Sequence, residues 1–348
     1  MKTIFFILLI ITCQLYSQTE KVVHVSSADT ATWALSQIAE GVTPIMLNDF
    51  YGRIQFIYLT NEYLYTCGVN SISQFDLSGN HLKTVTCGYI RCLIGDTVRK
   101  EIYISIGENK VICYNNSLEE KRIYETKYSP NSLFFHKNKL WIQSIYEESD
   151  NIEVDKLNTT YYKISSLDLA TGKENFLSFS FGDDKQISVQ IKARLIAEAT
   201  FSIYQDQLVF SNWLDPVIYV IKDDKIYPIL KWDVEETERM SHERFLTTQG
   251  FIGKYLSITY RMRDKVTQNL KEFRYIEDME TETGYNLNSY ISDDIFHTGP
   301  CKLHNCYKNN ESYLYFLKET SNGHEIFIVK PKQQNNETQL SIKDLISF

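Results

Sequence analysis

Glu62-Tyr-Leu-Tyr-Thr66, followed by Ser73-Gln-Phe-Asp-Leu-Ser-Gly-Asn80, is the stretch from which the fold is read. The first part is a short aromatic and aliphatic run behind a polar residue, which is strand composition. The second is a strand ending on Asp-Leu-Ser-Gly-Asn, where Gly supplies the positive φ of a hairpin turn. Working outward, the first part recurs as Lys100-Glu-Ile-Tyr-Ile104, Asn138-Lys-Leu-Trp-Ile142, Asp206-Gln-Leu-Val-Phe210, Gly253-Lys-Tyr-Leu-Ser257 and Glu311-Ser-Tyr-Leu-Tyr315. The central residues are Leu64, Ile102, Leu140, Leu208, Leu256 and Leu314. The second part recurs as Val111 to Asn116, Ile164 to Gly172, Val217 to Asp224 and Glu325 to Lys330. A further strand follows most copies, as in His81 to Thr86, Glu120 to Glu125, Asn175 to Phe181 and Ile226 to Val234.

Four strands per unit, repeated six times, predict an all-β chain: a six-bladed β-propeller with four-stranded antiparallel blades. The alternative is a β-sandwich or two unrelated β domains. Uneven spacing between copies is explained by insertions at 151–159 and 182–198. Helix is expected only over Thr30 to Glu40, Gln186 to Ala199 and a short tail from Leu340 to Phe348. A propeller must hide its sheet edges, and the last unit lacks an outermost strand after Lys330. Lys21-Val-Val-His-Val-Ser26 is predicted to supply it, closing the ring with an N-terminal strand; the alternative is the tail from Gln334 to Phe348.

The composition agrees with a folded, exported protein. The 348 residues are 43% hydrophobic, 14% aromatic and 23% charged, unlike a disordered chain. A net charge of −8 argues against a nucleic-acid partner, which needs clustered Lys and Arg. Met1-Lys2, the apolar run Ile4 to Ile11 and the polar segment Thr12 to Ser17 have the plan of a secretory signal peptide. Cleavage after Ser17 would start the mature chain at Gln18, and Cys13 offers a lipid anchor as the less favoured alternative. No other segment has transmembrane length. The expected division is a signal peptide at 1–17, a closing strand and short helix at 18–53, the propeller at 54–331 and a tail at 332–348. The location is exported: periplasmic, cell-surface or extracellular.

The hairpin Ile72-Ser-Gln-Phe-Asp-Leu-Ser-Gly-Asn80, the segment Asp215-Pro-Val-Ile-Tyr-Val-Ile221 and the stretch Asn288 to Gly299 with Ser292-Asp-Asp-Ile295 resemble the NHL-like six-bladed β-propeller family of exported Bacteroidetes proteins. The resemblance covers roughly residues 45 to 330. It implies the fold and no established chemistry. The chain departs from the family after the first blade, where Thr86-Cys-Gly-Tyr-Ile-Arg-Cys92 replaces a Gly-Arg-Gly-Pro-Gly-Glu type loop.

Motifs for catalysis are absent from the sequence: GxSxG, HExxH, P-loop and GxGxxG patterns do not occur at a usable spacing. His136, His297 and His304 lie near strand ends of different units, where surface or structural roles are the ordinary reading. Glu147 to Asp155 holds five acids but lacks the Gly-punctuated alternation of a calcium loop. No metal ligands and no cofactor are assigned. Arg91, Arg194, Arg244, Arg261 and Arg263 form no basic stripe. Asp29-Thr30-Ala31 and Asp96-Thr97-Val98 match an O-glycosylation triplet.

Flat aromatic rings near turns suit glycan or peptide binding. Trp213 and Asp215, then Tyr161 and Tyr162, are therefore the candidate ligand-binding residues. Of the six cysteines beyond the leader, Cys67, Cys92 and Cys113 lie in apolar strands as buried thiols. Cys301 and Cys306 are the candidate disulfide. The functional expectation is a binding module for a glycan, peptide or envelope protein. The alternative is a propeller lyase or hydrolase acting on a glycan or lactone at the central channel, with or without a divalent cation.

Overall fold

The computed structural model describes residues 21–25, 30–31, 33–149, 158–179, 199–212, 215–288 and 290–333. Its N-terminal arm carries strands β1 (Lys21–Val25) and β2 (Thr30–Ala31), the one-turn helix α1 (Leu35–Ile38) and strand β3 (Ala39–Asn48). The four-stranded antiparallel meanders follow. The first is β4 (Phe56–Leu59), β5 (Tyr63–Cys67), β6 (Ser71–Asp76) and β7 (His81–Thr86). The second is β8 (Ile90–Asp96), β9 (Glu101–Ile106), β10 (Lys110–Asn115) and β11 (Glu120–Glu125). The third is β12 (Ser129–His136), β13 (Lys139–Ser149), β14 (Asn158–Leu167) and β15 (Glu174–Phe176), followed by the short β16 (Ser178–Phe179).

In the fourth, β17 (Ala199–Tyr204), β18 (Gln207–Asn212), β19 (Asp215–Lys222) and β20 (Lys225–Val234) pair in order. In the fifth, β21 (Met240–Ile252), β22 (Tyr255–Asp264), β23 (Leu270–Asp278) and β24 (Thr283–Asn288) do the same. A hairpin of β25 (Ile291–Asp293) and β26 (Gly299–Cys301) leads into β27 (His304–Lys308), β28 (Glu311–Thr320) and β29 (Gly323–Pro331). The repeat read from sequence maps onto this plan at one fixed place. Leu64, Ile102, Leu140, Leu208, Leu256 and Leu314 all fall in the second strand of a meander, and all are buried.

The meanders form the ring of a β-propeller. First strands touch in succession, β4 to β8, β8 to β12, β12 to β17 and β17 to β21, and β21 reaches β28. The circuit closes where β27 pairs in parallel with β4, Tyr307 opposite Tyr58. Middle strands such as β5 and β9 are buried on both faces, because each is sandwiched between neighbouring meanders. Fourth strands such as β7 and β11 are mostly exposed. Gly95 shows how close the packing is: a Cβ there would lie 2.3 Å from the ring of Tyr58 on the neighbouring β4.

Turns between third and fourth strands repeat the same chemistry. Asp76 Oδ1 accepts from the backbone N–H of Ser78 and Asn80, Asn115 Oδ1 from Ser117 and Glu119, and Asp168 Oδ1 from Ala170 and Thr171. These turns also stitch meanders together. The Asn116 carbonyl accepts from Tyr65 Oη at 2.9 Å and Gln74 Nε2 at 2.7 Å, and the Leu169 carbonyl accepts from Tyr124 Oη at 3.0 Å. A buried tyrosine hydroxyl thereby meets a carbonyl that the hairpin leaves unpaired.

The ring is closed by an N-terminal strand, but not by the one the sequence suggested. β3 lies antiparallel on β29, from Gly323 opposite Asn48 to Pro331 opposite Ala39. The strand at Lys21–Val25 runs parallel to β20 of the fourth meander instead. Its register is fixed by Val23 and Val25, which are buried beside Trp232, and by His24 Nδ1, 2.7 Å from Asp233 Oδ1. β2 adds in parallel to β24. The arm therefore runs along β20, β24 and β29 in chain order. Of the expected helix over Thr30 to Glu40, only Leu35–Ile38 is helical. Its Leu35 and Ile38 are buried with Trp33 against Ile252 and Tyr255. The segment Gln186 to 198 and the tail after 333 lie outside the described residues.

Candidate functional site

Around the ring axis, first strands β4, β8, β12 and β27 enclose a cavity of about 500 Å3. Gln55, Phe56, Arg91, Cys92, Asn131, Ser132, His304 and Tyr307 are on its wall, with Arg53 and Arg274 also reaching it. Its size falls in the usual range of small-molecule sites. The remaining first strands, β17 and β21, face a separate gap of about 20 Å3 beside β27, room for about one water.

Asn131 is the most telling residue of the wall. It is 2% exposed, and neither its Oδ1 nor its Nδ2 has a hydrogen-bond partner in the structure. A register shift in β12 between Pro130 and Ser132 takes Asn131 out of the regular ladder pairing. Buried polar atoms without partners cost stability unless something else satisfies them. Arg91 enters the cavity by the same device, a register shift in β8 between Ile90 and Cys92, and its Nε is also buried without a partner. Tyr307 is anchored: its hydroxyl donates to the Phe201 carbonyl at 2.8 Å, and burial pushes its pKa up.

Three of the four sequence-predicted ligand residues have a described backbone position. Trp213 lies outside the described residues. Asp215 opens β19 opposite Asn212, while Tyr161 and Tyr162 stand in β14 opposite Tyr146 and Ile145. Cys301 and Cys306 are both free thiols. Cys301 Sγ donates to the Ile291 carbonyl at 3.4 Å, whereas Cys306 packs in another part of the core, with Ile57 and Tyr313. Burial raises the pKa of Cys301 to about 11 and lifts that of Cys306 as well, so both stay protonated. Cys67 and Cys113 are free thiols too, both inside the core, and Cys92 Sγ accepts from the Leu133 backbone N–H at 3.3 Å.

The three histidines do not converge. His136 ends β12 at its hairpin, opposite Lys139, and His297 adopts a positive φ of 55° in the β25–β26 loop. Only His304 is at the cavity. Asp293 serves that loop, accepting from the N–H of Ile295, Phe296 and Thr298. Asp96 serves the β8–β9 turn, accepting from Val98 and Arg99. Among the described residues no group of three or more His, Cys, Asp or Glu side chains is placed to hold a metal ion. No helix among them is long and apolar enough to cross a membrane.

The fold has a precedent. The chain is similar to the crystal structure of a protein named as exported from Bacteroides fragilis, with a TM-score of 0.59 and 10% sequence identity, over 90% of this chain and 100% of that one. The β-propeller domain of Cps50 (Swd1) from Myceliophteria thermophila superposes with a TM-score of 0.46 and 10% identity, over 83% of this chain and 99% of that one. No family model matches the chain. No curated protein matches it either.

Sequence reasoning does not find Arg53, Asn131 and Arg274, which are far apart in the chain, and it reads Arg91 only as one of several dispersed arginines. A signal was present in the departure at Thr86 to Cys92, since that segment leads into a first strand and first strands line the axis.

Proposed function

We propose that this chain is an exported, six-bladed, NHL-like propeller that binds a ligand in its axial cavity. The reading of six blades rests on the meanders begun by β4, β8, β12, β17, β21 and β27, with β3 as the fourth strand of the last. Export rests on the basic start, apolar core and polar end of residues 1–17, and on the name carried by the Bacteroides fragilis structure. The proposed division keeps 1–17 as a leader, 18–53 as the arm, 54–331 as the propeller and 332–348 as a tail.

One observation carries the binding role: Asn131, fully buried with both amide atoms unpartnered, on the wall of a cavity large enough for a small molecule. The amide offers two donors and an acceptor to whatever occupies the cavity. The partner is an envelope glycan, a peptide or a segment of an envelope protein. The test is retention of glycans and peptides from an envelope extract on immobilised protein, comparing wild type with Ser132→Trp, which fills the cavity, and Trp213→Ala. Loss of the retained ligand in Ser132→Trp alone is the expected result. Retention by Ser132→Trp with loss in Trp213→Ala would assign binding to Trp213 and overturn the axial reading.

A further inference from the structure

The axial cavity and the chain as a whole carry opposite charge. The protein is acidic, with a net charge of −8, yet Arg53, Arg91, Arg274 and His304 are on the cavity wall and, among the described residues, no Asp or Glu is. Among the described residues none of the three guanidinium groups makes an ion pair. Arg274 donates from Nη2 to the Leu303 carbonyl at 3.0 Å and from Nε to Thr259 Oγ1 at 3.4 Å, partners that orient it without neutralising it. Glu272, on the same strand, is already engaged by Arg261 at 3.1 Å and Lys302 at 2.9 Å. His304 reports the resulting field: desolvation at the wall and the positive charges of Lys302 and Arg274 hold its pKa below the usual imidazole value.

A cation taken partly out of water without a counter-charge is costly, by several kcal/mol in general. Arg91 and Arg274 are partly buried in this way, while Arg53 stands exposed at the rim. The geometry points to an anionic occupant. We propose that the axial cavity binds an oxyanion (carboxylate, sulfate or phosphate) through Arg53, Arg91 and Arg274, carried on a polar body of about a disaccharide's size that hydrogen-bonds Asn131. Guanidinium groups suit this chemistry because their planar donors match the oxygens of such groups in pairs. The proposal rests on the axial binding reading above and names its ligand class.

The test is calorimetric titration of the full-length protein at fixed ionic strength with digalacturonate, its neutral methyl ester and inorganic sulfate. Digalacturonate is expected to bind at least about tenfold more tightly than the ester. Arg91→Gln, and separately the exposed Arg53→Gln, are expected to weaken it by about tenfold or more, with the thermal midpoint of the free protein not lowered. Sulfate binding as tightly as digalacturonate would assign the site to a free inorganic anion, and weaker sulfate binding to an acid carried on a larger body. The second outcome supports the proposal, and the first overturns the larger body that it names. Equal binding of acid and ester, or unchanged affinity in both Arg variants, would overturn it while leaving a cavity that binds. Failure of both anions to bind at millimolar concentration would also overturn it, and the Ser132→Trp comparison decides the broader reading by itself.

Discussion

β11 and β20 are both fourth strands, and they are built in opposite ways. β11 reads Glu-Lys-Arg-Ile-Tyr-Glu, buries only Tyr124 and has no further strand on its outer side among the described residues. β20 buries Ile226, Ile229, Leu230 and Trp232 and lies under β1. The contrast extends around the ring. β7, β11 and β15 end their sheets, whereas β20, β24 and β29 are covered by β1, β2 and β3. An exposed strand edge invites pairing with another chain, and charge on the strand or a covering segment prevents it. This chain uses both remedies, charge on the first half of the ring and its own N-terminal arm on the second.

The comparison breaks if the two halves respond alike to the same change. Val25→Asp puts an unpaired carboxylate into the fully buried seam between β1 and β20. It is expected to cost about 3–5 kcal/mol. Ile123→Asp on β11, where the side chain is 46% exposed, should stay within about 0.5 kcal/mol. Urea unfolding of the two variants gives both numbers, and similar losses would end the distinction.

A smaller effect sharpens it at the closure. Leu47 of β3 is fully buried against β29, and Leu47→Ala should cost about 2–5 kcal/mol. Leu82→Ala on the bare β7, half exposed in the native protein, should be close to neutral in the same melts.

The smallest expected effect is electrostatic. Ser36 of α1 donates its hydroxyl and its backbone N–H to the Asp294 carboxylate, at 2.5 and 3.0 Å. Those hydrogen bonds hold the Asp294 pKa below its ordinary value of 3.8. The folded pKa is the lower one, so the contribution is complete above about pH 4 and is lost as pH falls through the folded value. The protection factors for hydrogen exchange of residues 33–38, corrected for the intrinsic rate at each pH, should therefore fall on acidification below pH 4, and Asp294→Asn should flatten that dependence. Asp76 and Asp168 on the bare half are depressed too, by bonds within their own turns. Acid should loosen those hairpins without touching the arm.

Much of the fold was legible because a propeller repeats a local pattern. Leu64, Ile102 and Leu140 mark second strands by their own neighbours, and Asp76 and Asp168 announce the turns they cap. What escaped was non-local. Nothing in Lys21 to Val25 distinguishes β20 from β29 as a partner, since an alternating apolar strand fits either edge. The match of Val25 to Trp232 exists only once both are folded. The cavity residues escaped for the same reason: Arg53, Asn131 and Arg274 become neighbours through closure of the ring, which no spacing in the chain encodes.

The arm also sets an order of events. Lys21 to Asn48 is synthesised well before any of its partners, with Lys21 waiting for Leu230 and Asn48 for Gly323. Contacts this distant in sequence are slow to form, since a long loop must close before any of them is gained. Until then Val25, Trp33 and Leu47 have nothing to cover them, and neither do β20 and β29. The nascent chain is thus most prone to self-association late, when the first sheets are already complete. A chaperone that shields the N-terminal arm would raise the yield more than one acting on any finished blade.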